Sequence, residues 1–148
     1  MNAKLTLIAA SLALAWSVVA HGQSAQQSDQ QRIQEEHKAA MEKCKDMQDN
    51  GKKICEAEAE GQKKVAEAEA KVKERDTPKN RLEAAEAKAE AQYEVAKAKC
   101  GDQVGDAKNA CEKAAKASKD GAMAQAKMES QKQGAAAGAS GGEKAKPQ

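Results

Sequence analysis

The stretch CKDMQDNGKKIC, residues 44–55, has the same cysteine spacing as a second stretch, CGDQVGDAKNAC, residues 100–111. Each stretch begins and ends with a cysteine, and ten residues separate the two cysteines in both. At the same offset of 56 residues, four further residues recur: Asp46, Lys52, Glu56 and Ala59 reappear as Asp102, Lys108, Glu112 and Ala115. The chain therefore contains a weak internal repeat, and the pairing of its four cysteines decides the fold.

The composition of the 148-residue chain predicts helices rather than a globular core. The chain has no phenylalanine, one tyrosine and one tryptophan, so few of its residues can supply the roughly 1.5–3 kcal/mol that burial of a large apolar side chain contributes. Alanine, glutamate and lysine, which are abundant, lose the least free energy on entering a helix. We therefore predict an all-α fold built from long, thin helices.

The N-terminus has the pattern of a secretory signal peptide, with Lys4 ahead of an apolar run at residues 5–19 and small residues after it. This run is shorter than the about 20 apolar residues that a membrane-spanning helix requires. We predict a signal peptide over residues 1–22, with cleavage after Ala20 or after Gly22; an uncleaved membrane anchor is the alternative. The mature protein would then be periplasmic and would have no membrane span.

A polar linker is predicted at residues 23–28, followed by a helical pattern that begins near Asp29 and continues to Val72. Thr77-Pro78 interrupts this pattern. Proline disfavours helix at the residue before it and suits the first position of a new helix, so a turn is predicted at residues 76–78 with Thr77 as N-cap.

The second helical pattern opens at Pro78 and fades after Lys119. The remaining residues, 120–148, are of low complexity and mildly basic, and we predict that they form a disordered tail.

In a continuous helix, Cys44 and Cys55 would lie about 16 Å apart along the axis, whereas a disulfide requires Cα atoms within about 7 Å. In an antiparallel hairpin bent between Thr77 and Pro78, Cys44 would instead face Cys111, and Cys55 would face Cys100. We therefore predict a long, coiled-coil-like hairpin over residues 29–119, stapled by these two inter-helix disulfides. Crossed pairing, intermolecular pairing and local pairing, which would require both helices to break, are the alternatives.

Two resemblances bear on the setting of this protein. The paired cysteines resemble the twin C-x9-C helical hairpins of the mitochondrial intermembrane space. EAEAEGQKKVAEAEAKVK (56–73) and RLEAAEAKAEAQYEVAKAKC (81–100) resemble the helical region of the cell-envelope protein TolA, and the chain is similar to small exported proteobacterial proteins of TolA-like composition. The resemblance implies a cell-envelope setting and implies no mechanism.

Several classes of function are disfavoured by the residues present. Nucleophilic catalysis requires a base beside a nucleophile in a pocket, and after signal removal His37 is the one histidine suited to that role, so we predict no catalytic residues. The cysteine spacing does not match a zinc finger, so no metal or cofactor is predicted. The formal net charge of +2 and the lone ring of Tyr93 disfavour nucleic acid as a partner.

These observations predict a non-enzymatic structural or interaction protein of the periplasm. Its partner would be another envelope protein, or an anionic envelope polymer bound by the basic tail, and a homo-oligomer is left open. The alternative is a thiol-based metal-binding or redox-responsive periplasmic protein.

Overall fold

A computed structural model of the chain describes the backbone of residues 21–140 and the side chains of residues 28–136. The described chain forms four α-helices: α1 (His21–Cys44), α2 (Asp49–Glu74), α3 (Pro78–Lys99) and α4 (Gly105–Ser140). A short 3-10 helix, Cys100–Asp102, follows α3. Residues 21–140 contain no strand, so the predicted all-α fold is confirmed. Most of the predicted signal peptide, including Ala20, lies outside the described residues.

Consecutive helices run antiparallel, and each packs on the next one along the chain. Between α2 and α3, Lys71 pairs with Glu83 near the turn, and Asn50 meets Ala98 at the far end. Between α3 and α4, Glu90 pairs with Lys119 in the same antiparallel sense. The predicted hairpin is therefore present as the central α2–α3 pair, with α1 packed on α2 and α4 packed on α3.

The α2–α3 turn, residues 75–77, has the chemistry that the sequence predicts. Pro78 is at the start of α3, and the backbone N–H of Asn80 donates to Thr77 Oγ1 at 3.1 Å, so Thr77 is the N-cap. The Asn80 side chain donates to the carbonyls of Lys71 and Arg75, which terminates α2. Both ends of the turn are thus satisfied by side chains within it.

Small residues form most of the buried core. Ile33 is the one large aliphatic side chain that is buried among the described residues, and the other buried residues are Cys44, Ala59, Gly61, Ala68, Ala84, Ala89, Cys100, Ala115 and Ala126. The small side chains let backbones approach closely: a Cβ placed on Gly61 would lie 2.9 Å from the Cβ of Ala91. Because alanine buries little apolar area, this packing contributes little free energy per residue.

The disulfides join Cys44 to Cys55 and Cys100 to Cys111, with Cα–Cα distances of 5.6 and 5.7 Å. Two inter-helix disulfides are present as predicted, but the predicted pairs Cys44–Cys111 and Cys55–Cys100 are wrong. The prediction assumed a continuous helix between the cysteines of each pair. Both helices instead break there, so each disulfide staples two consecutive helices across a turn.

A left-handed residue marks each break. Asp49 has a φ of 51° and Gly105 a φ of 58°, and each is the first residue of the helix that carries the second cysteine. The two positions are 56 residues apart and therefore equivalent in the internal repeat. The repeat unit is thus a stapled hairpin, α1–α2 or α3–α4, and not a single helix.

The boundaries of the outer helices also differ from expectation. α1 begins at His21, so residues 23–28, predicted as a polar linker, are helical. α4 continues past Lys119 to Ser140, so the predicted disorder is wrong for residues 120–140, and residues 141–148 lie outside the described chain. Alanine-rich sequence favours helix, and this segment packs back on α3, where Ala126 is buried and Ser130 donates to the Pro78 carbonyl.

Candidate functional site

Both stapled turns lie at the same end of the molecule. The Asn50 side chain, just after the first turn, donates to the Ala98 carbonyl at 2.8 Å. The same side chain lies against Gly101, where an added Cβ would come within 2.5 Å of Asn50 Oδ1. All four predicted disulfide cysteines therefore gather at this end, which is opposite the turn containing Thr77 and Pro78.

None of the four cysteines is free. A thiol-based metal site would first require reduction of a staple. Within the described part of the chain, no group of three or more His, Cys, Asp and Glu residues is arranged to hold a metal ion.

His37 lies between α1 and α2 and contacts Glu60. Its Nε2 is 2.9 Å from Glu60 Oε1, yet the angles do not form a hydrogen bond, and the buried nitrogen has no hydrogen-bond partner. The residue thus serves the α1–α2 contact.

Tyr93 serves the α3–α4 contact. The Lys119 ammonium lies 4.2 Å from the centre of its ring and 3.1 Å from Glu90 Oε2. The hydrogen bond with Glu90 raises the pKa of Lys119 above its ordinary value, with smaller contributions from nearby negative charge. The ring of the single tyrosine of the chain is therefore in contact with a lysine of the neighbouring helix.

An open groove runs between α2 and α3 and encloses about 540 Å³. Its floor consists of small or aliphatic residues: Gly61, Val65, Ala66, Ala91, Val95 and Ala96. Both valines, Val65 and Val95, are only partly exposed, so the floor is recessed from the surface.

The two edges of this groove carry opposite charges. Glu58 and Glu69 lie along the α2 edge, and Lys88 and Lys99 lie along the α3 edge. Lys88 and Glu69 pair across the groove at 2.7 Å, whereas Glu58 and Lys99 are exposed towards its other end. The groove thus combines an apolar floor with a fixed polarity from one edge to the other.

The other face of the α2–α3 pair is different in character. It holds a smaller depression of about 280 Å³, whose rim carries four glutamates and one lysine: Glu56, Glu60, Glu90, Glu94 and Lys64. Gly61 and Ala91 line both depressions, but this one has about half the volume of the groove and no valine in its lining. The groove is therefore the better candidate for a binding site.

No protein family, curated protein or solved structure matches this chain. Within residues 21–140, no helix has both the length and the apolar character needed to cross a membrane.

The sequence located some of these residues and missed others. It identified the four cysteines and the Thr77-Pro78 turn, whereas the groove valines looked like ordinary seam residues. The clusters Asp49-Asn50-Gly51 and Val104-Gly105-Asp106 hold the signal that was missed, since Asp, Asn and Gly are typical of turns.

Proposed function

We propose that this protein is a non-enzymatic structural or interaction protein of the periplasm, and that its α2–α3 groove receives a helix of another envelope protein. The apolar floor between oppositely charged edges is the observation that carries this proposal. A helix laid in such a groove buries one apolar stripe. Its acidic side would face Lys99 and its basic side would face Glu58, the edge charges beyond the Lys88–Glu69 pair, so charge would fix its orientation.

The staples support this role because they hold a thin fold in one shape. Each disulfide closes a short loop, and loop closure of this size contributes roughly 3 kcal/mol in the chain-entropy description. Such bonds persist in oxidising compartments, which agrees with the export signal that the sequence predicts over residues 1–22.

The chemistry of the groove supports a binding role over catalysis. Its lining residues include no histidine, cysteine, serine or threonine. The carboxylates and amines at its edges face water, where they suit recognition of charge.

A photo-crosslinking residue at Gln92, which is exposed at the groove, tests the proposal in native cells. The matched control places the same residue at Gln34, which is exposed on α1. We expect one defined protein adduct from Gln92 and none from Gln34, with loss of the adduct when Val95→Glu is added. Equal labelling from both positions, or no adduct from Gln92, would remove the groove as the binding site.

The proposed compartment is tested separately by the mass of the mature protein in a periplasmic extract. Cleavage after Ala20 would leave His21 at the N-terminus, and cleavage after Gly22 would leave Gln23. Recovery of the uncleaved chain in the cytoplasm alone would contradict the periplasmic assignment.

A further inference from the structure

The two cysteines of each staple differ in their exposure to solvent. Cys44 and Cys100 are 1% and 0% exposed. Their partners, Cys55 and Cys111, are both partly exposed. In both staples it is the first cysteine along the chain that is buried, so the difference belongs to the repeat unit. Each staple therefore presents one cysteine to solvent and conceals the other.

The position of each cysteine in its hairpin explains this difference. Cys44 is the last residue of α1, and Cys100 directly follows α3. The turn after each of them folds back onto its carbonyl: the N–H of Met47 donates to Cys44 at 3.2 Å. In the second hairpin the N–H of Gln103 donates to Cys100 at 3.1 Å. The second cysteine of each staple is instead the seventh residue of the following helix, well beyond the turn.

Access to the sulfur atom determines where a thiolate can open a disulfide. The attacking sulfur approaches along the extension of the S–S bond, from the side opposite the leaving sulfur. Exchange rates therefore depend on which sulfur is attacked and on how accessible it is. A fully buried sulfur offers no such approach unless the structure opens locally. Attack on either staple is accordingly directed to its second cysteine.

A lysine lies beside each of the partly exposed cysteines. Lys52 precedes Cys55 by three residues. Lys108 has the same position before Cys111, and residues at this spacing are neighbours on a helix surface. Glu58 lies three residues beyond Cys55, whereas the equivalent residue beyond Cys111 is an alanine. The positive charge that both sites share favours the approach of an anionic thiolate.

The surroundings of the buried sulfur favour its release as a neutral thiol. In the first staple the Sγ of Cys44 lies 3.3 Å from the carbonyl oxygen of Ala40. A thiol at Cys44 can donate its hydrogen to this oxygen, whereas the carboxyl-terminal end of a helix disfavours the negative charge of a thiolate. The released sulfur would therefore stay at the α1–α2 contact in its protonated form.

We propose that Cys55 and Cys111 are thiol-exchange sites, at which an external thiol opens the staples. The external thiolate forms a bond to the Sγ of Cys55 while the bond from Cys55 to Cys44 breaks. Cys44 departs with the bonding electron pair and takes up the proton that the external thiol lost to water. The products are a mixed disulfide on Cys55 and a thiol at Cys44, with no net oxidation. The second staple reacts in the same way at Cys111, and Cys100 is released.

This proposal does not rest on the proposed function, because neither exchange site is among the residues that line the α2–α3 groove. Its failure would therefore not affect the crosslinking result at Gln92.

Limited exchange of the oxidised chain with reduced glutathione tests the proposal. The glutathione concentration is raised until free protein thiols first appear, the reaction is stopped with acid, and the thiols are alkylated. Mass spectrometry then locates the glutathione. We expect it on Cys55 and Cys111, with the alkyl group on Cys44 and Cys100. In urea, where burial is lost, all four cysteines should carry glutathione, which is the control for a structural cause.

Two single variants measure the difference in access directly. Cys44→Ser leaves the Cys55 thiol without a partner, and Cys55→Ser, the matched control, leaves the Cys44 thiol. We expect oxidised glutathione to modify the first variant faster than the second by more than about tenfold, because a buried thiol reacts only after local opening. Glutathione on Cys44 or Cys100 in the folded original chain would overturn the proposal. Equal rates in two variants whose circular dichroism matches the original chain would do the same.

Discussion

Backbone conformation at two equivalent residues determines where the helices of this protein break. Asp49 and Gly105 both adopt a left-handed φ, one with a β-carbon and one without. For an L-residue this conformation costs roughly 1–2 kcal/mol, less for Asp than for most, and glycine adopts it freely. The two hairpins therefore contain the same turn, but only the first is strained at this position.

Asp49→Gly should accordingly raise the free energy of unfolding by about 0.5–1 kcal/mol, and Gly105→Asp should lower it by a similar amount. Urea denaturation with both disulfides intact measures the difference. Asp106→Gly is the matched control. Asp106 is the second residue of α4, so glycine there should lower the free energy of unfolding. If the Asp49→Gly variant is no more stable than the original chain, the left-handed conformation at Asp49 is contradicted.

The Asp76–Arg81 pair at the α2–α3 turn predicts a pH effect. Hydrogen bonding from Arg81 lowers the pKa of Asp76 below its ordinary value. A carboxyl whose pKa is lower in the folded state stabilises the fold above its unfolded pKa of about 3.9, and this stabilisation is lost as pH falls through the folded value.

The melting temperature of the original chain should therefore exceed that of Asp76→Asn at neutral pH. The difference should shrink as the pH is lowered below about 4. Parallel thermal melts of the two proteins across this range give the measurement. A difference that is independent of pH would show that the ion pair is not formed in solution.

Individual helices show how far the sequence predicts this fold. Alternating spacings of apolar and small residues predict helix, and Thr77 with Pro78 predicts the central turn, because capping is a local property of a few residues. The breaks after Cys44 and Lys99 were not predicted, because helix-favouring lysine and alanine surround them and the sign of φ at Asp49 is not fixed by residue type. Once these breaks are missed, the geometry of a continuous helix leads to the wrong disulfide pairs.

Close packing of α2 on α3 at Gly61 gives a prediction for the central hairpin. Gly61→Ala should lower the free energy of unfolding by about 1 kcal/mol, because overpacking against Ala91 outweighs the gain in helix propensity. Adding Ala91→Gly should recover part of the loss by returning the space to the other helix.

A double-mutant cycle by urea denaturation measures this coupling. Gly51→Ala is the matched control, since nothing lies within 4 Å of a Cβ at Gly51 in the same helix, and it should be stabilising. If Gly61→Ala stabilises the protein as much as Gly51→Ala does, α2 and α3 do not approach each other closely at Gly61.

At the scale of the whole molecule, the four helices of residues 21–140 pack in series, and their core consists mostly of alanine. Each helix contacts its neighbours along the chain, so the fold has little long-range packing to compensate for the loss of a staple. The composition predicted this thin, helical character. Composition does not determine the number of turns, because that number depends on the breaks after Cys44 and Lys99, which were not predicted.

Removal of either staple should have nearly the same cost. Cys44→Ala with Cys55→Ala, and Cys100→Ala with Cys111→Ala, should each lower the free energy of unfolding by about 3 kcal/mol, since the two loops have the same sequence separation of 11. Thermal and urea denaturation of the two double variants give the comparison. Two free thiols in either double variant would favour nested pairing, because each pair of substitutions would then remove one cysteine from both staples.

The local disulfides also determine how the chain would bear tension. A pull on the two termini passes from Cys44 directly to Cys55 and from Cys100 directly to Cys111, and the ten residues between each pair carry no load. Each bypassed loop stores about 30 Å of contour length, which only a reductant can release. The maximum extension of the chain under tension therefore depends on the redox state of its surroundings.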